Sequence, residues 1–151
     1  MDQEVDKNAI QRIVLDFFSK MGFLADVFIE KKEEKISIKI QTEDPKVLIG
    51  QSGQTLSEIQ HLLRIVIKRA IQGEFYLDVD INEYKEKKKE YLEETARLLA
   101  DEVSLTKEER ALPSMSAFDR RIIHTFLSNR SDVKTESDGE GIERRVVIKP
   151  A

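Results

Sequence analysis

A chain of 151 residues that is 40% apolar and 36% charged has the make-up of one globular domain or two small ones. It holds no cysteine and two histidines, which excludes disulfides, thiolate catalysis and Cys-based zinc sites and argues against a His-rich metal centre. The net charge of −4 argues against binding driven by a general basic surface; only residues 104–151 have a basic balance, nine Lys/Arg against eight Asp/Glu.

No apolar run reaches the roughly 20 residues that span a bilayer. The acidic start, Met1-Asp2-Gln3-Glu4, lacks the basic-then-apolar pattern of a secretory signal, so a cytoplasmic protein with no membrane insertion is expected. Residues 4–21 place Val5, Ala9, Ile10, Ile13, Val14, Phe17, Phe18 and Met21 at helical spacing, with Gly22 where a capping glycine would sit. Residues 24–30 and 35–41 read as two strands of a hairpin around the polar turn Lys31-Lys32-Glu33-Glu34, the second alternating strictly. A loop, Thr42 to Pro45, leads to Ile49-Gly50-Gln51-Ser52-Gly53, and residues 55–71 form an apolar-striped helix ended by Gly73. Residues 75–81 alternate again as a strand. A helix is expected over 83–103, its first half so rich in alternating Lys and Glu that it reads as solvated and its second half able to pack on a neighbour. Strand-like Arg110 to Pro113 comes next. A helix then opens at Ser116, with Asp119 in the place of a capping-box Glu, and runs to about Leu127. Strands over 132–137 and 143–149 flank the turn cluster Asp138-Gly139-Glu140-Gly141.

Two motifs carry chemistry. In the first, two glycines let the backbone turn sharply and approach a phosphate, while the helix after them offers amides and the positive end of its dipole. Leu48, Ile49, Leu56 and Ile59 beside Gly50, Gln51, Ser52 and Gly53 are candidates to line a groove for unstacked bases. In the second, Arg120 and His124 lie four apart and share a helix face, so a guanidinium fork and an imidazole can meet one phosphate or base. Arg121, Arg144 and Arg145 could widen that patch. The structural alternative pairs Arg120 with Asp119 or Asp138 and half-buries His124. His61 is expected at the surface, the Phe17–Phe18 pair in the core, and the Lys85–Lys89 run on a solvated face.

A glycine loop of this form, preceded by α-β-β and followed by α-β, resembles the KH domain in its bacterial arrangement, over residues 1–81. KH loops often carry Lys or Arg at a middle position; Gln51 and Ser52 supply hydrogen bonds without charge. The stretches Ser116 to His124, Val133 to Glu140 and Arg145 to Pro150 resemble the small single-stranded nucleic-acid-binding domain named for its Arg-x-x-x-His motif. The two in this order resemble the Jag family, also called KhpB or SpoIIIJ-associated. The resemblance implies a cytoplasmic protein that binds single-stranded RNA, or single-stranded DNA, linked to cell elongation, division or sporulation. It also implies a small KH-only protein as a partner; apart from the resemblance, a homo-oligomer, a second copy of the chain, is a further candidate partner. Many members carry a further N-terminal domain, whose function is expected to be absent here.

The sequence thus describes an α+β protein: a KH-like α-β-β-α-β module over 1–81, a connecting helix over 82–104, and an Arg-x-x-x-His module with three short strands over 105–151. No carboxylate pair, nucleophile–base pair or nucleotide-binding glycine loop marks a reaction centre, so neither catalytic residue, metal nor cofactor is expected. The rival reading is a protein-interaction or dimerisation module whose KH fold no longer binds RNA, supported by the acidic balance and the uncharged loop. A nucleotide-handling enzyme is a third and would need a base or metal that the sequence does not offer.

Overall fold

The structure, a computed structural model, describes residues 2–151, with side chains from Asp6 onward. The expected core side chain of Val5 lies outside the described residues. The chain divides into two compact units, Met1–Lys85 and Glu86–Ala151. Among the described residues no helix is long and apolar enough to cross a membrane.

In the first unit, helix α1 (Asp2–Lys20) is followed by strands β1 (Asp26–Lys32) and β2 (Lys35–Gln41), helix α2 (Pro45–Ile49), a single tight turn over Gln51–Gly53, helix α3 (Gln54–Ala70) and strand β3 (Tyr76–Ile81). The sheet order is β1-β2-β3, antiparallel then parallel. The alternation of β2 turns Ile36, Ile38 and Ile40 inward, where they meet Ile10, Val14 and Phe18 of α1 and Leu56, Ile59, Leu63 and Ile67 of α3. Phe17 packs at the edge of this core, its ring edge-on to Phe18.

Two local features depart from the sequence expectation. The β1–β2 turn is shorter, because Lys32 pairs with Lys35 and leaves only Glu33 and Glu34 in the loop, Glu33 at φ 52°. The stretch before the glycines, expected as loop, contains the five-residue helix α2, begun by Pro45; a helix this short shows no periodicity in the sequence. Asn82, at the end of β3, is tied to Thr42, at the end of the parallel strand β2. The Asn82 side chain accepts from the Thr42 amide at 2.9 Å and donates to the Thr42 carbonyl at 2.9 Å.

Helix α4 (Tyr84–Thr106) begins at the end of the first unit and supplies Leu92, Ala96, Ala100 and Val103 to the core of the second. Strand β4 (Arg110–Ala111), helix α5 (Ala117–Leu127), strand β5 (Val133–Asp138) and strand β6 (Arg145–Pro150) complete that unit. Its sheet order is β4-β6-β5, antiparallel throughout. Ile123, Leu127, Val133, Val146 and Ile148 close the core around α4. The expected connector is thus a structural part of the second unit. Its charged first half is also more engaged than a solvated face: Lys85 reaches Asp78 at 2.5 Å and Lys88 pairs with Asp119 at 2.9 Å.

Candidate nucleic-acid interface

The glycine loop owes its shape to two positions that exclude a side chain. Gly50 sits at φ 72°, ψ −175°, a region open essentially to glycine alone. A Cβ there would overlap Thr55 Oγ1 and come 2.8 Å from Thr55 Cβ. Gly53 is left-handed at φ 80°, and a Cβ would meet the Tyr84 ring at 2.9 Å. The loop is closed by Gly50 N–H donating to the Lys46 carbonyl at 2.9 Å, while Gln51 and Ser52 between the glycines are exposed. The Gly53 N–H donates to the Gly50 carbonyl at 3.4 Å, and the loop leads directly into the 17-residue helix α3.

The groove residues expected beside this loop divide. Leu48, Leu56 and Ile59 are 1%, 2% and 3% exposed and belong to the core, so no base reaches them. Their role is to anchor α2 and α3 on either side of the loop. Helical periodicity marks the buried stripe of α3, and a groove wall requires the stripe next to it. Ile49 is half-buried against the same core. The apolar surface on α2 and α3 comes instead from Val47, Leu62, Ile65 and Val66. A shallow, open depression on α3 is lined by Ser57, Glu58, His61 and Leu62, which places His61 at the surface as expected.

In the second unit Ser116 caps α5, its Oγ accepting from the Asp119 amide at 3.2 Å. The Asp119 carboxylate is buried and serves Lys88 of α4. This ion pair fixes the first turn of α5 and takes Asp119 away from Arg120. Arg120 donates instead to the Met115 carbonyl at 2.7 Å, and Arg144 donates to the Gly139 carbonyl at 2.8 Å. His124 lies half-buried between α5 and β5, with Nδ1 2.6 Å from the Thr135 hydroxyl and Nε2 2.8 Å from the Ser137 hydroxyl. Burial lowers the His124 pKa below its ordinary 6.5, and the charges of Arg120 and Arg144 lower it further. The ring is therefore neutral at pH 7, with two guanidiniums near it.

Arg120, His124 and Arg144 are thus brought together. Arg145 is not. It is the register partner of Asp138, lies 3.9 Å from that carboxylate, and by strand alternation points to the sheet face opposite Thr135 and Ser137. Arg121, one position round the helix from Arg120, is exposed. Thr135 and Ser137 lie in the Val133 to Glu140 stretch but are not among the site residues expected from the sequence, although two hydroxyl residues two apart on one strand share a face, a signal open to notice. Thr55 and Tyr84, which make the loop glycines obligatory, leave no such trace in the sequence.

A KH domain model matches residues 13–91, and a model of the Arg-x-x-x-His (R-3-H) domain matches residues 90–150. A relative from Clostridium symbiosum, named RNA-binding protein KhpB, is 33% identical over 148 residues, covering 94% of this chain and 67% of that one. Its namesake in Bacillus subtilis is 35% identical over 126 residues, covering 82% and 61%. Another in Lactiplantibacillus plantarum is 26% identical over 149 residues, covering 97% and 46%. The chain thus spans between about half and two thirds of the length of these curated relatives. With a KH domain followed by an Arg-x-x-x-His domain, the chain belongs to the KhpB family, also called Jag.

Proposed function

We propose that the chain binds single-stranded RNA, in the cytoplasm and without catalysis, through the Gly50–Gly53 loop and the Arg120–His124–Arg144 cluster. One observation carries the reading. In the second unit Arg97, Arg110 and Arg130 spend their guanidiniums on the carboxylates of Glu94, Glu102 and Asp132. Arg120 and Arg144 bond to backbone carbonyls, which orient a guanidinium without cancelling its charge. In a chain of net charge −4, two such arginines beside one neutral imidazole form a local anion site. The loop adds a second site of modest strength, since Gln51 and Ser52 bring no charge. Two weak sites on one chain raise apparent affinity through effective concentration. The names of the relatives support RNA as the ligand.

The competing reading, an interaction module that no longer binds RNA, is favoured by the exposed Leu62, Ile65 and Val66 on α3. Titration of a labelled single-stranded RNA pool by fluorescence anisotropy at two salt concentrations separates the two. The native chain is compared with Gln51→Asp/Ser52→Asp and with Arg120→Ala/His124→Ala. Salt-dependent binding weakened by both variants is the expected result. Absence of binding by the native chain, together with RNA-independent self-association or capture of a small KH protein, would select the interaction module.

A further inference from the structure

The position of His124 raises a difficulty for the simplest use of an Arg-x-x-x-His pair, in which both side chains touch the ligand. Both ring nitrogens already have hydroxyl partners, Thr135 at 2.6 Å and Ser137 at 2.8 Å. A phosphate reaching either nitrogen would have to break one of these bonds.

Thr135 and Ser137 are half-buried, on the strand face that meets α5, as is His124 itself. A neutral imidazole has one N–H and one bare nitrogen. One hydroxyl must therefore donate its hydrogen to the ring, and the other must accept from the ring N–H. The accepting hydroxyl keeps its own hydrogen, which the ring cannot take. That hydrogen is available to a further acceptor near Arg120, one turn before His124 on α5, and Arg144, which donates to the Gly139 carbonyl two residues beyond Ser137.

Building on the RNA-binding reading above, we infer that His124 is a positioning residue that holds the Thr135 and Ser137 hydroxyls, and that one of these hydroxyls joins Arg120 and Arg144 in a single phosphate subsite. The two arginines supply the charge and the hydroxyl supplies a neutral, directed donor. His124 sets which hydroxyl is free and where it points. Thr135 and Ser137 thereby become residues of the binding site, although neither carries charge.

The test uses the full chain and a short labelled single-stranded RNA of mixed sequence. Thr135→Val/Ser137→Ala removes both hydroxyls, His124→Phe keeps a ring without nitrogens, and the triple variant combines them. Thr135→Ser is the conservative control. A hydrogen bond to a charged group is lost in the hydroxyl variant, so its affinity falls about tenfold. Adding His124→Phe to it produces no further loss, because the ring acts only through the hydroxyls. Thr135→Ser binds within about twofold of native on the same logic, since it keeps the oxygen. A hydroxyl variant that binds like native, or losses that multiply in the triple variant, would overturn the inference while leaving RNA binding intact. A native chain that binds no RNA would overturn both. If His124→Phe does not fold, nitrogen NMR of the native ring decides. The His124 resonances keep their tautomer pattern on RNA addition if the ring is a positioning group and change if it contacts phosphate.

Discussion

The glycine loop of the first unit is built from backbone, whereas the cluster of the second is built from side chains. At Gly50 and Gly53 the chain takes conformations that a Cβ would obstruct, against Thr55 and against Tyr84. Around His124 nearly everything depends on what side chains reach: carbonyls for Arg120 and Arg144, hydroxyls for the imidazole, a buried carboxylate for Lys88. The loop is therefore damaged by adding atoms and the cluster by removing them. A side-chain site must manage charge, and this one does so by giving its arginines neutral partners.

The sharpest way to break the comparison is Gly50→Ala. Strain at this φ and ψ together with the clash on Thr55 costs about 3 kcal/mol, read as a lower urea midpoint with the slope unchanged. Next is Arg120→Ala, which removes an oriented guanidinium and weakens RNA binding about tenfold or more, with the urea midpoint nearly unchanged. Arg120→Lys restores little of this, since a point charge does not reproduce a fork held by the Met115 carbonyl.

Smaller changes sharpen the contrast. Gln51→Lys puts the missing charge into the glycine loop and steepens the dependence of log affinity on log salt by about 0.7. Arg144→Ala makes the same dependence shallower by a similar amount, about 0.7. Equal and opposite slopes from the two regions would show that they contact the same kind of group, and a slope unchanged by either would exclude that region from phosphate contact.

The smallest effect is on pH. The folded His124 binds a proton less readily than the unfolded one, whose pKa is near the ordinary 6.5. On acidification the unfolded state takes up the proton first, so this contribution to stability is complete above 6.5 and declines as pH falls through 6.5 toward the lower folded value. Urea titrations between pH 7.5 and 5 should show this component in the native chain and lack it in His124→Phe.

Much of the first unit is legible in the sequence because its pattern is local. The strict alternation of Lys35 to Gln41 defines β2 to the residue, and the stripe from Leu56 to Ile67 defines the buried face of α3. The same stripe suggests a groove wall made of residues that the structure buries, because periodicity shows which side chains are apolar and aligned but not which neighbour covers them. Spacing places Arg120 and His124 on one helix face, yet it does not reveal that His124 is occupied on both nitrogens. Nor does it separate Arg144 from Arg145, adjacent in sequence and on different faces.

By itself the sequence determined the order of the strands and the long helices, the two motifs and the family, since each rests on residue type and short-range spacing. Only the tertiary structure decided that Leu48, Leu56 and Ile59 are covered too completely for a base to reach, that Lys88 takes Asp119 from Arg120, and that Thr135 and Ser137 hold His124. The physical reason is range. Backbone geometry repeats every two or 3.6 residues and can be read along the chain, whereas burial and hydrogen bonding between α4, α5 and β5 depend on residues far apart in sequence that meet only when the core closes.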